Sequence, residues 1–254
     1  MSTPAESSKH VRDVADNMRS YWDARAQENA VWYVDTSVDY EAPDMDQFLA
    51  TGKTVVEEAL LNAPVQPQGR DTAIEIGCGV GRICLAMSDH FDHVVGVDIS
   101  ESMVSQARQL VDRANVRFLV GTGADLRQFD DASADFITTF TVFQHMPRQA
   151  LIESYVREAA RVLRPGGVLA AQWNNLPHPQ AWKLRGQWWR LRDRIGGPLK
   201  LDPRVAPEFV GMRLPTKSML RLVQEAGLSV QGTKALGTLF AWVWAQKPGA
   251  EPSA

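Results

Sequence analysis

Residues 74–81 read IEIGCGVG, and this stretch limits the chain's folding options more than any other. Glycines at 77, 79 and 81 bare the backbone at every second position, directly after a β-branched run that reads as a strand. A bend of that kind lets Gly77 turn tightly, Gly79 admit a bound molecule and Gly81 bring the next helix close. The expectation is strand, glycine turn, helix.

The same alternation continues along the chain. Residues 72–77 (TAIEIG), 93–100 (HVVGVDIS), 116–121 (VRFLVG), 134–142 (ADFITTFTV) and 168–174 (VLAAQWN) read as five strands. Helical spacing falls over 82–90, 101–113, 148–164 and 216–226, the third stopping at RPGG. Segments 228–234 and 237–245 leave no room for a crossover helix, so they pair as an antiparallel hairpin. The fold class expected is α/β, a doubly wound, mostly parallel, seven-stranded sheet ending in that hairpin. At 254 residues, 44% hydrophobic and 22% charged, the chain can bury such a core as one domain.

Several function classes fall away at once. No run approaches the roughly 20 apolar residues of a membrane helix, and the polar start MSTPAESSKHVRD lacks a signal-peptide core, so a cytoplasmic location is expected. Cys78 and Cys84 cannot form a disulfide framework, and neither their spacing nor that of His90 and His93 suits a metal. A net charge of −3 gives no broad basic field for nucleic acid.

Two acids flank the glycine bend, Glu75 before it and Asp98 ending the next strand. A dinucleotide fingerprint would place glycine at its sixth position, where Arg82 stands. Glu75 would also repel a pyrophosphate but accept hydrogen bonds from ammonium or hydroxyl donors, while Asp98 is placed to take both hydroxyls of a ribose. The ligand wanted carries a ribose and a cationic amino-acid portion. The plainer alternative is that both acids cap helices.

EIGCGVGR, VVGVDIS, VRFLVGTGADL, ADFITTFTVFQHMP and AARVLRPGGVL, in that order, resemble the class I S-adenosylmethionine-dependent methyltransferases, small-molecule type, over about residues 70–175. The resemblance implies a Rossmann-like sheet with S-adenosylmethionine as cofactor and S-adenosylhomocysteine as product. It implies that Glu75, Gly77, Cys78, Gly79, Gly81 and Arg82 surround the methionyl part. Asp98 would hold the ribose, with Ser100 beside it, and Ile99 and Met103 would touch adenine. Many relatives carry aspartate where Thr122 stands, so Gly123, Ala124, Asp125 and Leu126 become the implied adenine neighbours. Thr141 and Phe143 would border the cofactor, and Tyr21, Arg25 and Tyr33 would reach it from an N-terminal lid over 1–69. In that lid Arg25 either binds the methionyl carboxylate or faces solvent.

Methyl transfer from a sulfonium demands mainly alignment, with a base only where the acceptor is bound protonated. His145 follows the fourth strand and is the candidate base, its ordinary pKa of about 6.5 suiting neutral pH. The alternative is a histidine that bonds backbone or packs beneath the pocket. Gln144 would orient a polar acceptor, with Trp22, Trp32 and Trp173 as further acceptor contacts. Residues 176–215 exceed a plain connection and read as a substrate cap holding Trp182, Trp188 and Trp189. That cap has eight Lys/Arg against three acids, an excess fit to grip an anionic or aromatic small-molecule acceptor or simply to be solvated. It also offers a surface for a homodimer. Residues 216–247 would complete the core, with 248–254 as a tail.

Four functions remain open at this point. The leading one is methylation of O, N or activated C on a small molecule in specialised metabolism. A methyltransferase acting on nucleic acid or protein, a non-catalytic cofactor-binding protein and a nicotinamide dehydrogenase are the others.

Overall fold

The computed structural model describes residues 4–177 and 207–249, and side chains within 14–177 and 208–249. Strand β1 (Thr72–Ile76) lies between β2 (His93–Asp98) and β4 (Ala134–Thr139), parallel to both. Strand β3 (Val116–Val120) forms one edge, and β5 (Leu163–Trp173) continues the parallel set beyond β4. The hairpin of β6 (Ser229–Lys234) and β7 (Ala241–Gln246) closes the other side, with β7 antiparallel to both neighbours. The order β3-β2-β1-β4-β5-β7-β6 is the doubly wound sheet expected, and its winding reverses between β1 and β4. A crevice opens there, beyond the strands' carboxyl ends.

Helices cover both faces. On one, α3 (Arg82–Met87) and α4 (Glu101–Leu110) pack with α2 (Met45–Val56) over Ala73, Val94 and Phe136. On the other, α5 (Gln149–Val162) and α7 (Thr216–Glu225) bury Leu151, Tyr155, Met219 and Val223 against Ile74, Val95 and Ile137. The four-residue α6 (Pro207–Val210) precedes α7. A π-turn over Glu57–Leu61 follows α2, whose Leu60 is fully buried.

Helix α1 (Pro4–Val34) carries Tyr21, Arg25 and Tyr33 of the expected lid. It breaks at Asn29, whose side chain caps Trp32 N at 3.1 Å and donates to Tyr40 O at 2.7 Å. Element ends differ from the pattern for local reasons. Strand β4 stops at Thr139 instead of running to 142, because Thr141 turns to φ 57 and a 3₁₀ turn occupies Phe143–His145. Strand β7 starts at Ala241 because Ala235 and Gly237, both at positive φ, spend the preceding residues in the hairpin turn. Helices α3 and α4 end about a turn early, at Met87 and Leu110. Among the described residues no helix is long and apolar enough to cross a membrane, and no cluster of ligating side chains could hold a metal.

Candidate active site

The glycine bend is built for close approach. Gly79 has φ 51, and a Cβ there would stand 2.6 Å from Val34 Cγ2 of α1. Gly81 faces the Phe118 ring, so its role is helix–sheet packing. Around the bend lies a cleft enclosing about 870 Å³, its open mouth included.

Two carboxyl groups face this space. Asp98 accepts from Gly79 N and Ser100 N, both at 2.9 Å, which fixes its orientation and leaves lone pairs for a ligand. Glu75 is 2% exposed and accepts from the Cys84 thiol at 2.9 Å. Burial pushes its pKa up to about 8, against smaller opposing pulls from Cys84 and Arg82, so the carboxyl is mostly protonated at pH 7. Burial raises Asp98 as well, despite its backbone donors. Arg82 lies opposite, buried between the rings of Phe48 and Phe140 at 5.7 and 5.8 Å, and donates to Thr51 Oγ1 at 2.7 Å.

Past the end of β4 the wall is made by Phe140, Thr141 and His145. Thr141 is a β-branched residue in the left-handed region, a conformation that costs about 1–3 kcal/mol and persists only where it is over-determined. Buried Gln172 provides that support: its Oε1 accepts from Thr141 N at 2.7 Å and its Nε2 donates to Leu239 O in the hairpin turn. His145 touches Trp22 at 5.1 Å and Phe209 at 5.0 Å between ring centres. Burial lowers its pKa to about 4, so the ring is neutral at pH 7 and a weaker base than an ordinary imidazole.

Of the residues expected at the cofactor, Tyr33, Glu75, Gly77, Cys78, Gly79 and Arg82 reach the wall. Asp98, Ile99, Met103, Gly123 and Thr141 do so as well, as do Trp22 and His145 from the acceptor side. Others stand behind it. Arg25 is held by Glu28 at 3.1 Å and lies over the Tyr21 and Tyr33 rings, so neither Arg25 nor Tyr21 opens onto the cleft. Ser100 caps α4 through Met103 N and donates to Asp23 Oδ1 at 2.6 Å. Thr122 Oγ1 donates to Asp125 Oδ1 at 2.9 Å and accepts from Ala124 N and Asp125 N, while Arg127 takes the rest of that carboxylate. Leu126 and Phe143 are core residues. Trp32 packs on Tyr33 and Tyr40, and Trp173 is 1% exposed with its indole donating to Leu214 O at 2.9 Å. Gln144 backs His145 instead of facing the cavity. Trp182, Trp188 and Trp189 lie outside the described residues, with most of the cap's basic side chains.

Sequence reasoning did not single out Met18 and Val34 of α1, Phe140 and Met146 beside β4, or Tyr155 of α5, all of which line the cleft. A stripe at Ala15, Met18, Trp22 and Ala26 carried a signal for the first, since three- and four-residue steps share a helix face.

Residues 74–171 match a family described as "Methyltransferase domain". This segment is a class I S-adenosylmethionine-dependent methyltransferase domain. The cofactor of that family is S-adenosylmethionine. Over 165 residues the chain is 37% identical to a probable S-adenosylmethionine-dependent methyltransferase of Mycolicibacterium smegmatis, covering 65% of this chain and 54% of that one. It is 38% identical over 104 residues to the 27-O-demethylrifamycin SV methyltransferase of Amycolatopsis mediterranei, covering 39% and 37%. The chain thus spans about half the length, or less, of the curated relatives it matches. A solved methyltransferase from Methanosarcina mazei superposes with a TM-score of 0.58 over 77% of this chain and 98% of that one, at 22% identity, a likeness of fold. The methyltransferase domain therefore has its glycine bend, its two carboxyl groups and its post-β4 turn around one cleft.

Proposed function

We propose that the protein transfers a methyl group from S-adenosylmethionine to an O, N or activated C of a small molecule in specialised metabolism. The observation that carries this reading is the pairing of buried Glu75 and fixed Asp98 across a bare glycine bend, in a cleft walled by aromatic side chains. These residues fit the cofactor. Asp98 would take the ribose hydroxyls, Glu75 the methionyl ammonium, and Ile99 and Met103 the adenine faces. When bound, the cofactor supplies an electrophilic methyl group. The chain's own part is to hold the acceptor beyond Phe140 and Thr141 and to exclude water with α1. A rifamycin-modifying relative is consistent with a small organic acceptor. Buried, unpaired Cys78 and Cys84 suit a reducing cytoplasm.

Isothermal calorimetry with S-adenosylmethionine and S-adenosylhomocysteine tests the reading. Both should bind, and Asp98→Ala should weaken binding about 10- to 100-fold through lost charge-assisted hydrogen bonds. Binding of a nicotinamide dinucleotide in their place would overturn it.

A further inference from the structure

The histidine beside the cleft is held by groups that dictate what each ring nitrogen does. Its Nδ1 meets the carbonyl oxygen of Phe209, which can only accept, so Nδ1 carries the hydrogen. The neutral ring therefore has its lone pair on Nε2. Gln144 Nε2 lies 3.2 Å from that atom and donates to it. Fixing the amide this way leaves a mark: Gln144 Oε1 is buried and has no hydrogen-bond partner. Orphaned carbonyl oxygens of this kind cost about 1–3 kcal/mol and call for an explanation.

The support is rigid on its other sides. Trp22 of α1 and Phe209 of α6 contact the imidazole at 5.1 and 5.0 Å, and neither is titratable. Gly211, at φ 51, presses so close that a Cβ would overlap Gln144 O. The Gln144 backbone and the ring are pinned, while the terminal torsion of a carboxamide is broad and two-fold, so its two orientations differ mainly in which atom faces the ring.

We propose that Gln144 is a positioning residue whose carboxamide inverts as His145 takes up a proton, offering its amide hydrogen to the neutral ring and its orphaned Oε1 to the imidazolium. Inversion exchanges the two amide atoms at one position. When Nε2 gains a proton it becomes a donor facing Oε1, while the amide nitrogen takes the partnerless place the oxygen left. Phe209 O keeps the Nδ1 hydrogen in both states, so both ring nitrogens are satisfied before and after the transfer. An ordinary packed histidine needs no such second arrangement. Burial alone makes the cation costly, and the inverted amide offsets part of that cost when the ring takes up a proton.

Nitrogen-15 NMR of the histidine side chains tests it on the whole protein. Wild type should show His145 as the Nδ1–H tautomer, the neutral ring persisting well below pH 6. Gln144→Leu should lower its titration midpoint by roughly one pH unit, since the charged form loses the stronger hydrogen bond. Gln144→Glu, nearly isosteric, should raise it by roughly one to three pH units. An Nε2–H tautomer in wild type, or a midpoint unmoved in both folded variants, would overturn the proposal. Calorimetry with S-adenosylhomocysteine on the same samples reports the cofactor site separately: lost binding in wild type would sink the methyltransferase reading and leave the tautomer result standing.

Discussion

At the scale of single residues, two buried groups make stability respond to pH in opposite directions. Folding raises Glu75 from an ordinary carboxyl value to about 8, so its contribution is greatest at low pH and is lost as pH rises from about 4.5 to 8. His145 is depressed to about 4, so its contribution is present above 6.5 and is lost as pH falls through 4. The two slopes oppose one another between about 4.5 and 6.5, and only Glu75 still titrates between 6.5 and 8. One pH unit of such a slope is worth about 1.4 kcal/mol. The ligand-free protein should therefore lose roughly 2 kcal/mol of unfolding free energy between pH 6.5 and 8, measured by urea denaturation. Glu75→Gln should flatten that interval. A wild-type profile already flat there would mean that the carboxyl is ionised without ligand, and the cleft would then be wetter than the packing around Glu75 indicates.

At the scale of elements, α1 closes the cleft through a few specific ties. Asp23 accepts from Ser100 Oγ at 2.6 Å and Ser102 N at 3.1 Å, while Gln106 donates to Ala26 O at 2.9 Å. Farther along, Val34 seats on Gly79. A small molecule entering between α1 and the glycine bend must loosen these ties. Asp23→Ala removes the partner of a buried hydroxyl, an effect of about 1–3 kcal/mol. Limited proteolysis within 4–34 should then quicken by roughly ten-fold or more, with the sheet core still protected. Equal cleavage rates in variant and wild type would show that Asp23 does not hold the helix down. This arrangement also marks where the sequence stopped being readable. The strands were legible because β-branched runs buried on both faces leave a strong local signal, as in VVGV and FITT. Glu75 and Asp98 were legible because their spacing from the glycines is local too. The approach of Phe209 and Gly211 to His145 joins segments more than sixty residues apart, and no local pattern carries it. Thr141 hid its left-handed turn inside a run with high strand propensity, because the Gln172 amide that supports it comes from another strand. Trp173 misled in the opposite sense: an aromatic at a strand's carboxyl end looked like a pocket wall, yet its indole is spent on Leu214 O inside the core.

At the scale of the whole molecule, the cleft is where separately folded parts meet. The sheet supplies Glu75 and Asp98 from strands tied on both sides by parallel neighbours. Helix α1 supplies the roof, and the turn after β4 is braced by α6 on one side and, through Gln172, by the hairpin on the other. Rigid floor and weakly tied roof should respond differently to a ligand that touches both. Binding at one hundred times the dissociation constant adds about 2.7 kcal/mol to global stability. In a chain of this size that is a rise in melting temperature of roughly 5–10 °C. The local response should be uneven. Amides of α1, exchanging through local opening, should gain protection on addition of S-adenosylhomocysteine, whereas those of β1 and β4 should change only as far as global unfolding slows. Hydrogen–deuterium exchange with peptides covering 14–34, 72–76 and 134–139 would separate the two. Uniform protection would mean that the roof is already part of the cooperative core, and entry to the cleft would then have to come from the side of the post-β4 turn, past Phe140 and Trp22.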